Sequence, residues 1–195
     1  MQYANLDPMT VSFLNVQGLV RLFCSSIAQE HDLFIDATVG NGHDTLFLTQ
    51  LAQKHNGRVV GFDIQQKAIE TTKKKVEGFS NVSLILDSHA NFDHYVQPET
   101  VALIVYNLGY LPHGEKSITT QKNSTLLSIR LGLELLRSKG GIAIICYSGH
   151  PEGLNEIEGL KGFVHTLDSK KFCVTWTEWK NRTLCPSVVL IQRIH

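Results

Sequence analysis

Hydrophobic and polar positions alternate along this chain in blocks whose period switches repeatedly between that of a helix and that of a strand. From Thr10 to about Ala28 the apolar residues Phe13, Val16, Val20, Phe23 and Ile27 recur every three or four positions, which predicts a helix. A short apolar run at Leu33 to Asp36 predicts a buried strand, and His43 to Lys54 returns to helical spacing through Leu46, Phe47, Leu48 and Leu51. Arg58 to Asp63 reads as the next strand. Gln65 to Glu77 reads as a helix with Ala68, Ile69, Thr72 and Val76 inward, and Asn81 to Asp87 as a third strand. Val101 to Tyr106 follows as a fourth strand. The stretch Ser124 to Arg137, with Leu126, Ile129, Leu133 and Leu136 on one face, predicts a helix that Lys139-Gly140-Gly141 breaks before a fifth strand at Ile142 to Tyr147. Phe172 to Trp179 and Ser187 to Ile194 complete the pattern as two closing strands, joined through Lys180 to Pro186. Strands alternating with helices in this way predict a doubly wound α/β fold with a mostly parallel sheet, the closing hairpin inserting an antiparallel strand.

The first strand and its turn carry the chemistry. Asp36-Ala-Thr-Val-Gly40-Asn-Gly42-His-Asp-Thr45 leads from strand to helix through two glycines, which allow close backbone approach to a ligand beside the free N–H groups of a helix N-terminus. A dinucleotide fingerprint requires a third glycine where Thr45 stands, and a phosphate loop requires a Gly-Lys-Ser/Thr ending that is absent. The second strand ends in Asp63, where a carboxylate can accept both hydroxyls of a ribose. Together these features predict a nucleotide-like cofactor. An oxidoreductase binding a dinucleotide, and a noncatalytic RNA-binding module on the same scaffold, stand as alternatives.

Ligands of open α/β sheets bind outside the carboxyl ends of the strands, and three further segments fall there. Asp87-Ser88-His89 follows the third strand, Asn107-Leu-Gly-Tyr110-Leu-Pro112 the fourth, and Tyr147-Ser-Gly-His150 the fifth. His89 reads equally well as a cofactor contact or as a helix-capping histidine. The polar stretch Gly114 to Asn123 has the length and composition of a substrate-contacting loop, with Lys116, Ser117, Thr119 and Lys122 able to hold phosphates or simply to be solvated.

Composition narrows the setting. The 195 residues predict one domain over residues 1–195, with an N-terminal helical segment at 1–30 and a catalytic core at 33–195. Eighteen basic side chains balance eighteen acidic ones, so any attraction to nucleic acid must come from a local patch, such as Lys73-Lys74-Lys75, which is otherwise a solvated helix face. Cys24, Cys146, Cys173 and Cys185 lack the paired spacing of a zinc site or disulfide frame, so no metal is expected and the thiols read as reduced. No apolar stretch reaches the roughly 20 residues of a membrane span. The expectation is a soluble, cytoplasmic protein with no membrane association.

From Leu33 onward the sequence resembles the class I S-adenosylmethionine-dependent methyltransferases. Asp36-Ala-Thr-Val-Gly-Asn-Gly-His-Asp-Thr45, Phe62-Asp-Ile-Gln65, Asp87-Ser-His89, Asn107-Leu-Gly-Tyr-Leu-Pro112, Lys116-Ser-Ile118 and Tyr147-Ser-Gly-His150 together resemble the small methyltransferases first labelled rRNA methylases, members of which methylate 5-aminomethyl-2-thiouridine at the tRNA wobble position. This resemblance implies a Rossmann-like seven-stranded sheet, S-adenosyl-L-methionine as cofactor, and tRNA, through its anticodon arm, as partner, with a homodimer possible. It implies cofactor binding by Asp36, Thr38, Gly40, Asn41, Gly42, Asp44, Thr45, Asp63, Ile64, Gln65, Asp87, Ser88 and His89. It implies substrate contacts from Gly109, Lys116, Ser117 and Tyr147, and catalytic roles for Asn107, Tyr110 and His150. Methylation of rRNA or of a small amine is the alternative. The chain departs from the family pattern in its closing hairpin, where Cys185-Pro186-Ser187 replaces an expected pair of prolines.

Asn107-Leu-Gly-Tyr110 also resembles the Asn-Pro-Pro-Tyr motif of amino-group methyltransferases. The Asn carbonyl and neighbouring backbone carbonyls would accept hydrogen bonds from the target amine, and the aromatic ring would pack on the flat base. Proton loss to water or to His150 completes that expectation.

Overall fold

The computed structural model describes residues 15–109, 119–183 and 185–195. The predicted helical start at Thr10, together with Tyr110, Lys116 and Ser117, lies outside the described residues.

Seven strands form one sheet in the order β3-β2-β1-β4-β5-β7-β6. They are β1 (Leu33–Asp36), β2 (Arg58–Asp63), β3 (Val82–Leu86), β4 (Val101–Asn107), β5 (Leu136–Cys146), β6 (Phe172–Thr177) and β7 (Ser187–Arg193). The ladders from β3 to β5 are all parallel, and β7 runs antiparallel to both β5 and β6. The chain reverses its direction of travel across the sheet between β1 and β4, the switch point where open α/β sheets leave a crevice.

Strand alternation explains the two faces. In β4, Ile104 and Tyr106 face one apolar cluster while Leu103 and Val105 face the other, and all four are buried. A central strand covered on both sides must be apolar at every position, and Val101 to Tyr106 is. Helices α1 (Val16–Ile27) and α2 (His43–Lys54) cover one face. α4 (Lys122–Leu135) and α5 (Pro151–Val164) cover the other, and α3 (Gln66–Lys75) lies against β2 and β3. Arg137 pins the start of β5 to the turn before β1: its Nε and one terminal nitrogen donate to the two Asp32 oxygens at 2.8 Å each, a bidentate pair that is mostly buried.

The structure alters two sequence-based readings. α5 was not expected; His150 caps it and Pro151 occupies its first turn, a start signal that the many glycines of Pro151 to Val164 obscure. Lys139-Gly140-Gly141 does not separate helix from strand, because α4 already ends at Leu135 and the strand register shifts there, with Lys139 at φ 62°. After α2 it is Asn56 that takes the left-handed conformation, at φ 51°. Gly57 serves a different need, since a Cβ there would stand 2.5 Å from the Asp32 carbonyl oxygen.

Candidate active site

The loop from β1 into α2 is bent by two left-handed glycines, Gly40 at φ 52° and Gly42 at φ 73°. Gly42 is also sterically obligatory, because a Cβ would lie 2.4 Å from the Thr72 hydroxyl of α3. Three carboxylates hold this bend. Asp63, at the end of β2, accepts the Gly40 N–H at 2.8 Å on one oxygen and the Gln65 N–H at 2.8 Å on the other. Asp36 accepts the Thr45 hydroxyl at 2.6 Å and the Thr38 N–H at 3.1 Å. Asp44, in the first turn of α2, accepts the Asn107 amide at 2.9 Å. Lys75 closes the outside of the loop, donating to the Asn41 carbonyl at 2.6 Å beside the His43 ring.

This loop lines a cavity of about 490 Å³ together with the ends of β2 to β5. Ala37, Thr38, Gly40, Asn41, Asp44, Asp63, Ile64, Gln65, Asp87, Ser88 and His89 surround one part of it. Asn107, Gly109, Tyr147 and His150 surround the rest. The structure therefore gathers nearly all of the sequence-derived residues it describes around one space. Asp36, Gly42 and Thr45 stand behind that lining as supports: Asp36 and Thr45 are fully buried, and Gly42 packs on Thr72.

Electrostatics follow from this burial. Desolvation, reinforced by the nearby Asp44 charge, pushes the Asp36 carboxyl up to about 7, with the Thr45 hydroxyl and Thr38 N–H working against that shift. Burial also raises Asp63, with the Gly40 and Gln65 N–H groups opposing it. Asp87 is half-buried and shifted down, chiefly by the Tyr95 hydroxyl that donates to it at 2.8 Å and by the Ser88 N–H. Burial lowers His89 and keeps the ring neutral. In the tautomer in which Nδ1 donates to the Ala37 carbonyl, at 3.2 Å, Nε2 is a buried acceptor with no partner among the described residues.

These residues fit a nucleoside sulfonium. Asp63 keeps a free lone pair on each oxygen for a ribose diol. Ile64, 60% exposed beside it, offers an apolar face to a flat ring, and the unpartnered His89 Nε2 can accept from an exocyclic amine. Among the described residues no group of three or more His, Cys, Asp or Glu side chains is placed to hold a metal ion.

The second half of the site is built by β4 and β5. The Asn107 N–H donates to the Thr38 hydroxyl at 2.7 Å and its side-chain amide to Asp44, so both backbone and side chain are fixed. Gly109 follows at φ 124°, a conformation L side chains rarely adopt, and it lies near His150 Nε2. His150 Nδ1 accepts the Gly153 N–H at 3.0 Å as the cap of α5, which places the proton of the neutral ring on Nε2. His150 thus combines the capping role with a place in the cavity wall. The sequence reading missed Thr120, Ser124 and Glu156. The first two line or border the cavity, and Glu156 is an acid 1% exposed on α5 that no motif marks.

Among the described residues no helix is long and apolar enough to cross a membrane. With the geometry in place, comparisons identify relatives. The chain is 39% identical to an rRNA-methylase of putative function from Clostridium thermocellum, whose crystal structure superposes with a TM-score of 0.89 over 94% of this chain and 100% of that one. It is 34% identical to a methyltransferase from Streptococcus mutans solved in complex with SAH, with a TM-score of 0.84 over 93% of this chain and 99% of that one. It is also 33% identical to the chloroplastic tRNA (mnm(5)s(2)U34)-methyltransferase of Arabidopsis thaliana, over 85% of this chain and 64% of the plant protein, which is therefore substantially longer than the shared segment. The strand order and its antiparallel end are those of the class I methyltransferases. Residues 59–193 match the family model described as "Putative rRNA methylase", and the chain belongs to that family.

Proposed function

We propose that this protein transfers a methyl group from S-adenosylmethionine to the aminomethyl nitrogen of 5-aminomethyl-2-thiouridine at the wobble position of tRNA, giving 5-methylaminomethyl-2-thiouridine, in the cytoplasm. The observation that carries the reading is the fixed Asn107 at the end of β4, sharing one cavity with the ribose-competent Asp63. The name of the Arabidopsis relative supports the substrate, and the SAH in the Streptococcus mutans complex supports the cofactor.

Asp63, Ile64, Asp87, Ser88 and His89 would hold the nucleoside end of the cofactor, and the Gly40 to Asp44 bend its amino-acid end. Bound there, the sulfonium supplies an electrophilic methyl group, and the N–C bond forms as the S–C bond breaks. The chain's task is to present a neutral amine along that line. An aliphatic ammonium of pKa about 10.4 is neutral in only about one molecule in a few thousand at pH 7. Presenting the free lone pair therefore costs about 4 to 5 kcal/mol unless the pocket desolvates the ammonium. Because Asp44 accepts from the Asn107 nitrogen, Asn107 Oδ1 remains to accept an N–H of the amine and aim its lone pair. Tyr110 would cover the base. Proton loss goes to water or to His150; the His150 path requires the ring to give up the Gly153 cap or shift its tautomer, so water is the simpler acceptor.

Nucleoside mass spectrometry of undermethylated tRNA, incubated with the protein and S-adenosylmethionine alongside rRNA fragments, tests this. One methyl gained on 5-aminomethyl-2-thiouridine is the expected result. A gain on rRNA alone would replace the substrate while keeping the chemistry, and silence on both would overturn the reading.

A further inference from the structure

Glu156 lies inside the protein, 1% exposed, on the face of α5 that packs against α4. Its carboxylate accepts hydrogen bonds from two threonine hydroxyls: Thr125 of α4 at 2.6 Å on Oε1, and Thr120, just before α4, at 2.9 Å on Oε2. Thr120 passes the constraint onward. Its hydroxyl oxygen accepts the Gly109 N–H at 2.8 Å, while its own N–H donates to the Gly109 carbonyl at 3.0 Å. Gly109 and Thr120 are therefore joined by two hydrogen bonds, and Gly109 stands two residues beyond Asn107.

An acid suits the direction of both bonds without rearrangement. A carboxylate only accepts, so the Thr120 proton must point at Glu156 and its oxygen lone pair is left for the Gly109 N–H. An amide at position 156 would have to turn its nitrogen toward one of the threonines, and facing Thr120 it would compete with Gly109 for the same oxygen. Burying a carboxylate against hydroxyls is costly, and desolvation raises its pKa while those hydroxyls oppose the shift. His150, at the start of the same helix, favours the charged form and Glu152 disfavours it, and Cys146 of β5 is near enough to feel the charge. Such a group is poor value as a packing element, since an apolar residue of similar size would fill the space without that penalty.

We propose that Glu156 is a positioning residue for methyl transfer: through Thr120 it fixes the backbone at Gly109, and with it the end of β4 where Asn107 receives the amine. This rests on the reading of the cavity as an amine methyltransferase site. Glu156 touches neither cofactor nor substrate; it acts through Thr120.

The test compares Glu156→Gln, Thr120→Val and Thr120→Ser. Thr120→Val removes only the hydroxyl link, leaving the backbone bond to Gly109, and Thr120 is half-buried, so this variant carries the test should Glu156→Gln fail to fold. Three quantities are measured: hydrogen exchange of the Gly109 amide by NMR in the cofactor-free protein, S-adenosylmethionine affinity by calorimetry, and kcat and KM on tRNA. Glu156→Gln and Thr120→Val should each lose about tenfold in Gly109 protection and about tenfold in kcat, with cofactor affinity kept within about twofold; Thr120→Ser, which keeps the hydroxyl, should stay near the parent protein in all three. Unchanged Gly109 exchange and kcat in both variants would overturn the proposal, as would a fall in cofactor affinity that accounts for the whole loss. The exchange measurement needs no substrate, so it decides the link from Glu156 through Thr120 to Gly109 even if tRNA is not methylated and the functional reading fails.

Discussion

The side-chain amide of Asn107, at the end of β4, donates to the carboxylate of Asp44, in the first turn of α2, across 2.9 Å. Because a carboxylate has no proton to give, this bond fixes which end of the Asn107 amide is nitrogen and leaves its oxygen for an incoming amine. It joins the glycine bend that would hold the cofactor's amino-acid end to the strand end that would hold the substrate. Two subsites separated by 63 positions in sequence are thus oriented by one contact.

Replacing Asp44 by Asn should therefore cost more than a charge. The new side chain can face Asn107 with either its oxygen or its nitrogen, so the Asn107 amide can settle in both orientations. We expect kcat on the amine to fall about tenfold or more. Cofactor affinity, followed separately by calorimetry, separates this from any loss of cofactor binding. An unchanged kcat would show that the Asn107 orientation does not matter.

Asp36 makes a pH-dependent contribution to stability. Its carboxyl is held at about 7 in the folded protein, against about 3.9 in an unfolded chain, so the folded state binds the extra proton between those values. That stabilisation is fully present below the unfolded pKa and is lost as pH rises through about 7, at up to roughly 1.4 kcal/mol per pH unit. The cofactor-free protein should have a lower urea midpoint at pH 8 than at pH 6. Asp63 and Glu156 are shifted up as well and add slope of the same sign. Asp36→Asn should flatten the profile visibly; an equal slope in the variant would mean that Asp36 is already ionised in the fold.

How much of this was legible beforehand depended on whether a residue acts through local pattern or through packing. The strands, the glycine bend and the acid-ended β2 are local: period, turn chemistry and strand-terminal position encode them, and Asp36, Asp63 and Asn107 sit where those signals pointed. What Asp36 and Thr45 do was not legible, because they are buried supports for the loop and only the packing of α2 on β1 shows it. Glu156 was the least legible. It lies in a glycine-interrupted helix among other acids, and an exposed glutamate in that segment would give the same sequence. The register shift at Lys139 was hidden for a related reason: Gly140 reads as a helix stop, whereas a Cβ there would meet the Val101 carbonyl oxygen at 2.9 Å, so it is the neighbouring strand that demands glycine.

Gly42→Ala tests the bend directly. The added Cβ would meet the Thr72 hydroxyl at 2.4 Å, and the residue would have to hold φ 73°. Left-handed strain costs on the order of 1 to 2 kcal/mol, and the overlap with Thr72 adds to it. We expect a lower Tm and a loss of cofactor affinity. In the double variant Gly42→Ala with Thr72→Ala, the 2.4 and 2.8 Å contacts disappear while a 2.9 Å approach to the Cβ at position 72 and the φ strain remain, so stability should recover in part. Full recovery would show that the backbone conformation itself carries no cost.

His150 can be divided into its two nitrogens. Nδ1 caps α5 through the Gly153 N–H, and Nε2 stands near Gly109 in the cavity wall. His150→Ala removes both and should cost about 1 kcal/mol through the lost cap. His150→Asn returns an oxygen acceptor to the cap and removes only the Nε2 function. If the histidine serves the reaction, His150→Asn should melt close to the parent protein, lose kcat, and change the pH profile of methylation, since a neutral amide neither holds nor releases a proton. If it serves only α5, His150→Asn should restore both stability and rate while His150→Ala restores neither. Proton loss would then be left to water, and the pH profile of the variant would match that of the parent protein.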